Sequence, residues 1–373
     1  MNEISHSGAE VMIKNGAVNM RTLGFEWEVL STGTMSGSYV NEMIAENIRV
    51  YHLPFGRSPF FFLKFFQLLR RGQFDVLHIH CERASFWYAL MGRISGVPKT
   101  VRTYHNVFYF TGFLRMRRSV QRWIGRRILG VVNHAIGPSV QRCEWETFRN
   151  PADIILNWVD ETVFSEISPE EKARARKSLN LSENSFAIVS VGTCLDKKNH
   201  EDILHAIRLS HLVEEDSCYI HVGSGPLLLR EQALAKTIGI DEHVMFVGQR
   251  PSDEVREIYA ASDVVVMPSD YEGLPMVIME AMKCGRPVIA YDVPGLRDYN
   301  HDQKGGMWIL PSRDALAEAL RNFAGSPDLL QRKSAEAIEI ANRFFSKDES
   351  LRALAELYSG ESNKSNCNKG LVT

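Results

Sequence analysis

The stretch Tyr271-Glu-Gly-Leu-Pro-Met-Val-Ile-Met-Glu-Ala-Met-Lys-Cys-Gly-Arg-Pro-Val-Ile-Ala290 follows an apolar run, Val264-Val-Val-Met267, and a polar turn, Pro268-Ser-Asp270. A short apolar run ended by such a turn predicts a buried strand. Pro275 stands where a helix accepts proline, at its first position, and Gly285 where a helix ends. Glu272 is then expected in the loop before a short helix, and Glu280 inside it, about a turn and a half along. Gly273 lets backbone approach a ligand closely, and the N–H groups of the helix start face the same space. Backbone donors and a helix dipole suit a phosphate, while carboxylates on either side suit sugar hydroxyls. The combination describes a pocket for a nucleotide sugar.

The same alternation extends in both directions. Strand-like runs at 27–30, 76–79, 99–103 and 131–136 alternate with helical stretches in the first half. In the second half, runs at 186–192, 218–222, 244–247, 264–267 and 287–290 alternate with predicted helices at 200–212, 227–238 and 253–261. This pattern predicts parallel sheets covered by helices. Ligands of such sheets bind outside the carboxyl ends of the strands, so the loops starting at Gly192, Gly223, Gly248 and Ser269 are expected on one rim.

The 373 residues are 45% hydrophobic and 24% charged with net charge -2, a composition that suits two ordinary domains. Six cysteines without metal-ligand spacing read as reduced thiols, and no apolar run approaches the ~18 residues that span a bilayer. A cytoplasmic location is expected. Residues 1–160 hold 19 Lys and Arg against 12 Asp and Glu, and the remainder holds 24 against 33. A basic first half suggests an anionic partner there.

The two-glutamate segment closely resembles the motif of retaining glycosyltransferases of family four, which have the two-domain GT-B fold. The resemblance implies that Glu272 contacts the donor sugar, that Glu280 holds the ribose hydroxyls, and that Gly273, Leu274 and Pro275 border the phosphates. An ordinary amphipathic helix with a solvated glutamate is the alternative. Asn157-Trp-Val-Asp-Glu-Thr-Val-Phe164 resembles the family's interdomain linker, with Trp158 in place of a glycine. Ser7-Gly-Ala-Glu10 resembles its glycine-rich loop on the acceptor side, making Gly8 a candidate, with a helix at 11–23. Family members place a buried strand before that loop, and Met1-Asn-Glu-Ile-Ser-His6 does not read as one. The expectation is a chain that starts downstream of its original first strand, with neighbouring strand edges left unpaired.

Gly192-Thr-Cys-Leu-Asp-Lys-Lys-Asn-His200 resembles the family's loop in which a strand-end arginine and a later lysine neutralise a diphosphate. Lys198 matches the lysine, Lys197 can substitute for it, and Thr193 stands in place of the arginine. Two lysines at a helix start are poorly placed for the helix dipole, which favours a ligand over two solvated side chains. Gly223-Ser-Gly225 matches a loop bordering the diphosphate, but alone it most often means a tight turn. In Arg102-Thr-Tyr-His-Asn106 the family places a histidine facing the donor sugar, so His105 and its neighbour Asn106 are candidates. His78, His80, His134 and His221 lie in or beside apolar strands and read as structural. The chain has no His-Glu-x-x-His and no Asp-x-Asp, so no metal and no GT-A chemistry is expected.

Residues 115–127 carry six arginines interleaved with Met116, Val120, Trp123 and Ile124. The two readings are a surface helix meeting anionic lipid or a lipid-diphosphate acceptor, with Arg115 and Arg118 as candidates, and a core-packed helix with a basic exterior. Nucleic acid is not expected at a pI near 6.6 without a recognition motif.

The expectation is therefore an α/β chain of the GT-B kind: two Rossmann-like, doubly wound parallel-sheet domains facing across a cleft. Residues 1–160 would bind the acceptor, with a last helix at 346–360 packing back on them, and 161–345 would bind the donor. A disordered tail is expected at 361–373. The activity implied is retaining transfer of a sugar from a nucleoside diphosphate sugar, UDP-linked, to a glycan or lipid-linked acceptor in surface polysaccharide synthesis. Glu272, His105 and Lys198 carry the catalytic expectation, with no cofactor. The alternatives are a nucleotide-sugar-binding protein without turnover, and an epimerase or phosphorylase of the same fold.

Overall fold

The computed structural model describes residues 1–5 and 7–360, so the tail expected at 361–373 lies outside the described residues. The described residues divide into two compact units: 1–158 together with 347–360, and Val159–Ser346.

In the first unit β1 (Glu28–Ser31) and β2 (Arg49–His52) form a two-stranded parallel pair. A separate four-stranded parallel sheet runs in the order β3 (Val76–Ile79), β4 (Lys99–Tyr104), β5 (Val132–Ala135), β6 (Asp153–Ile154). The sequence pattern missed β2 and β6. Arg49-Val-Tyr-His52 buries no residue fully, and β6 is only two residues long, so neither carries an apolar signal. The terminal helix Lys347–Ser359 packs on the first helix, Gly8–Thr22. Asn19 donates to Asp348 Oδ1 at 3.2 Å, and the Tyr358 hydroxyl lies 2.6 Å from His78 Nδ1.

Between the two sheets β1 and β3 both line a cavity of about 470 Å³, together with Met12, Phe65, Leu69 and Tyr88. Met1 lies at its edge. Its amino group donates to Leu30 O at 2.9 Å, and Thr32 N–H donates to Met1 O at 3.0 Å. That pair of bonds is how a residue of a parallel strand would oppose Ser31. Residues 1–5 themselves form no strand.

The second unit opens with the helix Pro169–Ser178. Its capping box is complete: Ser168 Oγ accepts from Glu171 N–H, and the Glu171 carboxylate accepts from Ser168 N–H. Six parallel strands follow: β7 (Phe186–Val191), β8 (Ser217–Val222), β9 (Val244–Gly248), β10 (Val264–Met267), β11 (Val288–Tyr291) and β12 (Gly306–Ile309). They lie in the order β12-β11-β10-β7-β8-β9. Every residue of β8, β10 and β11 is buried, as expected of parallel strands covered on both faces. The order reverses between β7 and β10, the topological switch point where such sheets bind ligands. The sequence pattern also missed β12, which opens on Gly306. A Cβ there would fall 2.2 Å from Val288 O, so the strand needs the residue that weakens its signal.

Candidate functional site

The loops leaving β7 and β10 sit side by side at the switch point. After β10, residues 268–275 lead into the helix Met276–Lys283, with Pro275 as its N-cap instead of its first helical residue. Glu272 is buried in this loop, and its N–H donates to Pro294 O at 3.0 Å. Gly295 (φ +86) presses against the same peptide, where a Cβ would lie 2.2 Å from Glu272 O. The Tyr299 hydroxyl holds Pro275 O at 2.7 Å. This brace from 294–299 was not found from the sequence; the turn Val293-Pro-Gly295 was its only signal.

The loop after β7 delivers the lysines. Lys198 Nζ lies 2.6 Å from Glu272 Oε1, and Lys197 Nζ lies 3.5 Å from Oε2. Burial pushes the Glu272 carboxyl up, but the two ammonium groups outweigh it and hold the pKa below the ordinary carboxylate value. Asn199, in the left-handed region at φ 51, donates from Nδ2 to Pro268 O at 3.0 Å and to Asp270 Oδ1 at 2.6 Å. Asp270 N–H donates back to Lys197 O at 2.9 Å. The two loops are therefore one rigid rim, and Thr193 stands exposed on it.

Glu280 is half-buried on the helix. Burial pushes its carboxyl up to about 7, against a smaller downward pull from the Tyr259 hydroxyl, 3.5 Å from Oε2. Gly273 and Leu274 are buried beneath the rim. Gly223 (φ +153) and Gly225 (φ +156) have a local reason to be glycine. Their Cβ atoms would fall 1.8 Å from Gly192 O and 2.7 Å from Cys194 O. Cys194 N–H donates to Ser224 O at 3.0 Å, so these glycines let two backbones touch.

In the first unit His105 follows β4. Its Nε2 lies 2.8 Å from His80 Nδ1, and burial holds its pKa down at about 4, leaving a neutral imidazole. His78 bridges Tyr358 and Thr103, and Thr103 Oγ1 meets His134 Nε2, each contact at 2.6 Å. Asn106 turns its Oδ1 to the Val107 N–H at 2.9 Å. Gly8 is the first residue of its helix, behind the N-cap Ser7.

The helix Gly112–Arg127 differs from both expectations. Arg118 and Arg122 point inward, where Glu82 receives Arg102, Arg118 (3.7 Å) and Arg122 (3.2 Å), and Glu144 receives Arg122 at 2.8 Å. Arg118 is thus held inside the unit and not presented to an acceptor, because Glu82 supplies the counter-charge that burial demands. Arg115 is exposed, as are Phe113 (72%), Met116 (58%), Val120 (50%) and Trp123 (56%). The partners that invert the helix, Glu82 and Glu144, lie too far along the chain for helical periodicity to reveal. Among the described residues no helix is long and apolar enough to cross a membrane.

His221, set aside in the sequence as structural, belongs to a buried group with Cys194, His200 and Glu231. The donor atoms of all four lie within 4.8 Å of one another. They are the residues that could hold a metal ion, contrary to the expectation drawn from spacing alone. Cys81, Cys143, Cys218 and Cys284 are buried free thiols.

Residues 171–340 match the family described as Glycosyl transferases group 1, and residues 6–161 match Glycosyltransferase Family 4. A UDP-Gal:alpha-D-GlcNAc-diphosphoundecaprenol alpha-1,3-galactosyltransferase of Escherichia coli is 26% identical over 243 residues, covering 62% of each protein. An alpha-D-kanosaminyltransferase of Streptomyces kanamyceticus is 25% identical over 304 residues, covering 78% of each. Among solved structures, Anabaena HepE in complex with UDP superposes with a TM-score of 0.82 over 96% of this chain and 99% of that one, at 19% identity. At that identity the likeness is one of fold.

Proposed function

The chain belongs to the glycosyltransferases, its two halves matching the two families above, and on that premise we propose that it transfers a sugar from UDP to a lipid-linked glycan hydroxyl with retention at the anomeric carbon. The observation that carries this reading is the Lys198–Glu272 pair at the switch point, with Glu280 on the adjoining helix. A donor diphosphate competes for Lys198 and Lys197, which frees Glu272 to receive sugar hydroxyls. Glu280 receives the ribose hydroxyls. The bond between the anomeric carbon and the diphosphate oxygen breaks, the acceptor oxygen bonds to the same face, and its proton passes to the leaving diphosphate. The lysines stabilise charge growing on that leaving oxygen. Calorimetry with UDP-, GDP- and ADP-sugars, paired with transfer to a GlcNAc-diphospholipid, tests the assignment. Tight UDP-sugar binding with transfer supports it; no binding by any nucleotide sugar overturns it. Binding without transfer would favour a sensor or carrier of nucleotide sugars, a reading that Thr193 in the arginine position supports.

The acceptor class rests on the inverted helix. Its exposed Phe113, Met116, Val120 and Trp123 with Arg115, Arg117 and Arg127 suit an anionic bilayer surface, where aromatic and aliphatic groups enter the headgroup region and arginines meet phosphates. Co-sedimentation with phosphatidylglycerol vesicles should fall several-fold in a Trp123→Ser, Met116→Ser variant, and equal sedimentation would overturn the membrane contact.

The opening between β1 and β3 reads as a seat for one more parallel strand. Three observations support it: β1 pairs only with β2 and β3 only with β4 among the described residues, both line one cavity, and Met1 already holds strand register with Ser31.

A further inference from the structure

Cys194, His200, His221 and Glu231 come from four elements: the loop after β7, the first turn of the helix His200–Leu209, β8, and the helix Leu228–Thr237. All four are buried, each at 5% exposure or less. Cys194 Sγ lies 3.2 Å from His221 Nε2, His200 Nδ1 lies 3.2 Å from Glu231 Oε1, and His221 Nε2 lies 3.9 Å from Glu231 Oε2. Tetrahedral zinc with Zn–S near 2.3 Å and Zn–N or Zn–O near 2.0–2.1 Å sets ligand atoms roughly 3.3–3.6 Å apart. The contacts in this group are therefore close to the edges of a zinc polyhedron.

Two further observations point to a ligand. Glu231 Oε2 is buried and meets no hydrogen-bond partner from outside the group, only the Cys194 thiol and His221 within it, although a buried carboxylate oxygen is costly to leave under-satisfied. His221 Nδ1 lies 3.2 Å from both Ser190 Oγ and Tyr219 OH, which fixes the ring and leaves Nε2 facing the group. Second-shell partners of this kind orient metal-ligating histidines.

We propose that Cys194, His200, His221 and Glu231 form a closed, four-coordinate structural zinc site. A thiolate, a carboxylate and two neutral imidazoles balance the charge of the dication, so the filled site places no net charge in the interior. The thiol proton leaves to solvent as the metal enters during folding. The ion ties the 192–199 loop, which carries Lys197 and Lys198, to β8 and to the helix that follows Gly225. Its role is to hold that rim in place, and it takes no part in group transfer.

The full chain, produced with zinc present and purified without chelator, should retain about one zinc per molecule by elemental analysis. Cobalt(II) introduced on refolding should give a thiolate-to-cobalt charge-transfer band that Cys194→Ser removes. Glu231→Gln should lower the zinc content several-fold, and refolding with zinc chloride should raise the melting temperature of the second unit over refolding with chelator. Substoichiometric zinc in the wild-type protein together with no charge-transfer band on cobalt refolding would overturn the site, whatever the variants do. Both readouts are independent of donor binding and transfer.

Discussion

In the second unit β7 is hydrogen-bonded on both sides, to β8 and β10, and the residues of its core, Ala187, Ile188 and Val189, are fully enclosed. In the first unit the corresponding place, between β1 and β3, holds a cavity lined by His78, His80, His134 and the chain's own amino terminus. A central strand does two things at once: it supplies apolar faces to the helices on either side and it fixes the switch point at which loops converge. Where the strand is in place, Lys198 and Glu272 are brought together from 74 residues apart. Beside the cavity of the first unit, buried imidazoles remain neutral at the cost of an acid-sensitive interior.

The largest effect that tests this contrast is acid. The folded-state pKa values of His105 (about 4) and His134 (about 3) lie below the unfolded value near 6.5. The unfolded chain therefore binds protons first, so stability is intact above pH 6.5 and falls as pH drops toward 4. Each group contributes about 1.4 kcal/mol per pH unit, or about 3 kcal/mol over that window. Circular dichroism and calorimetry should show the first unit melting ahead of the second as pH falls. Parallel loss in both units would break the comparison.

A strand supplied to the seat comes next. About five β-branched residues fused ahead of Met1 in register with β1 should stabilise the first unit by about 3 kcal/mol net, the surplus of apolar burial over chain ordering. The first-unit melting temperature should rise by roughly 10 °C, with the second unit unchanged. No rise would mean that the cavity is not a strand seat.

In the second unit Lys198→Ala should weaken UDP-sugar binding ten-fold or more, since a charge-assisted phosphate bond is worth about 1.5–3 kcal/mol. Glu272→Ala should lower turnover more than affinity, and wild-type kinetics in both would refute the donor rim. The smallest effect is pH-linked. Glu280, with its carboxyl at about 7, must ionise to receive ribose hydroxyls, so affinity should rise as pH passes from 6 to 7.5, by up to ten-fold per unit. Glu280→Gln should flatten that profile; a slope retained in the variant would assign it elsewhere.

The parallel strands of the second unit were legible because strands covered on both faces read as unbroken apolar runs, as in Val264-Val-Val-Met267. β2 and β12 were not, because a half-covered edge strand such as Arg49-Val-Tyr-His52 and one opening on glycine carry little periodic signal. The candidate rim was legible in part. Lys198 and Glu272 were found as separate motifs, but their 2.6 Å contact and the brace from Pro294, Gly295 and Tyr299 were not. Arg118 was misread, because helical spacing shows that arginines share a face but not that Glu82 waits beneath it.

The sequence by itself determined the alternation of apolar strands and helices in the second unit, and the placement of Glu272 before a short helix and Glu280 within it. Those features depend on local dihedral preference, side-chain period and turn chemistry, all of which act over a few residues. Only the tertiary structure decided which lysine meets Glu272, which arginines turn inward, and that Cys194, His200, His221 and Glu231 share one interior. These contacts join distant elements, and the order in which strands take their places in a sheet, set by collective burial, chooses the partners.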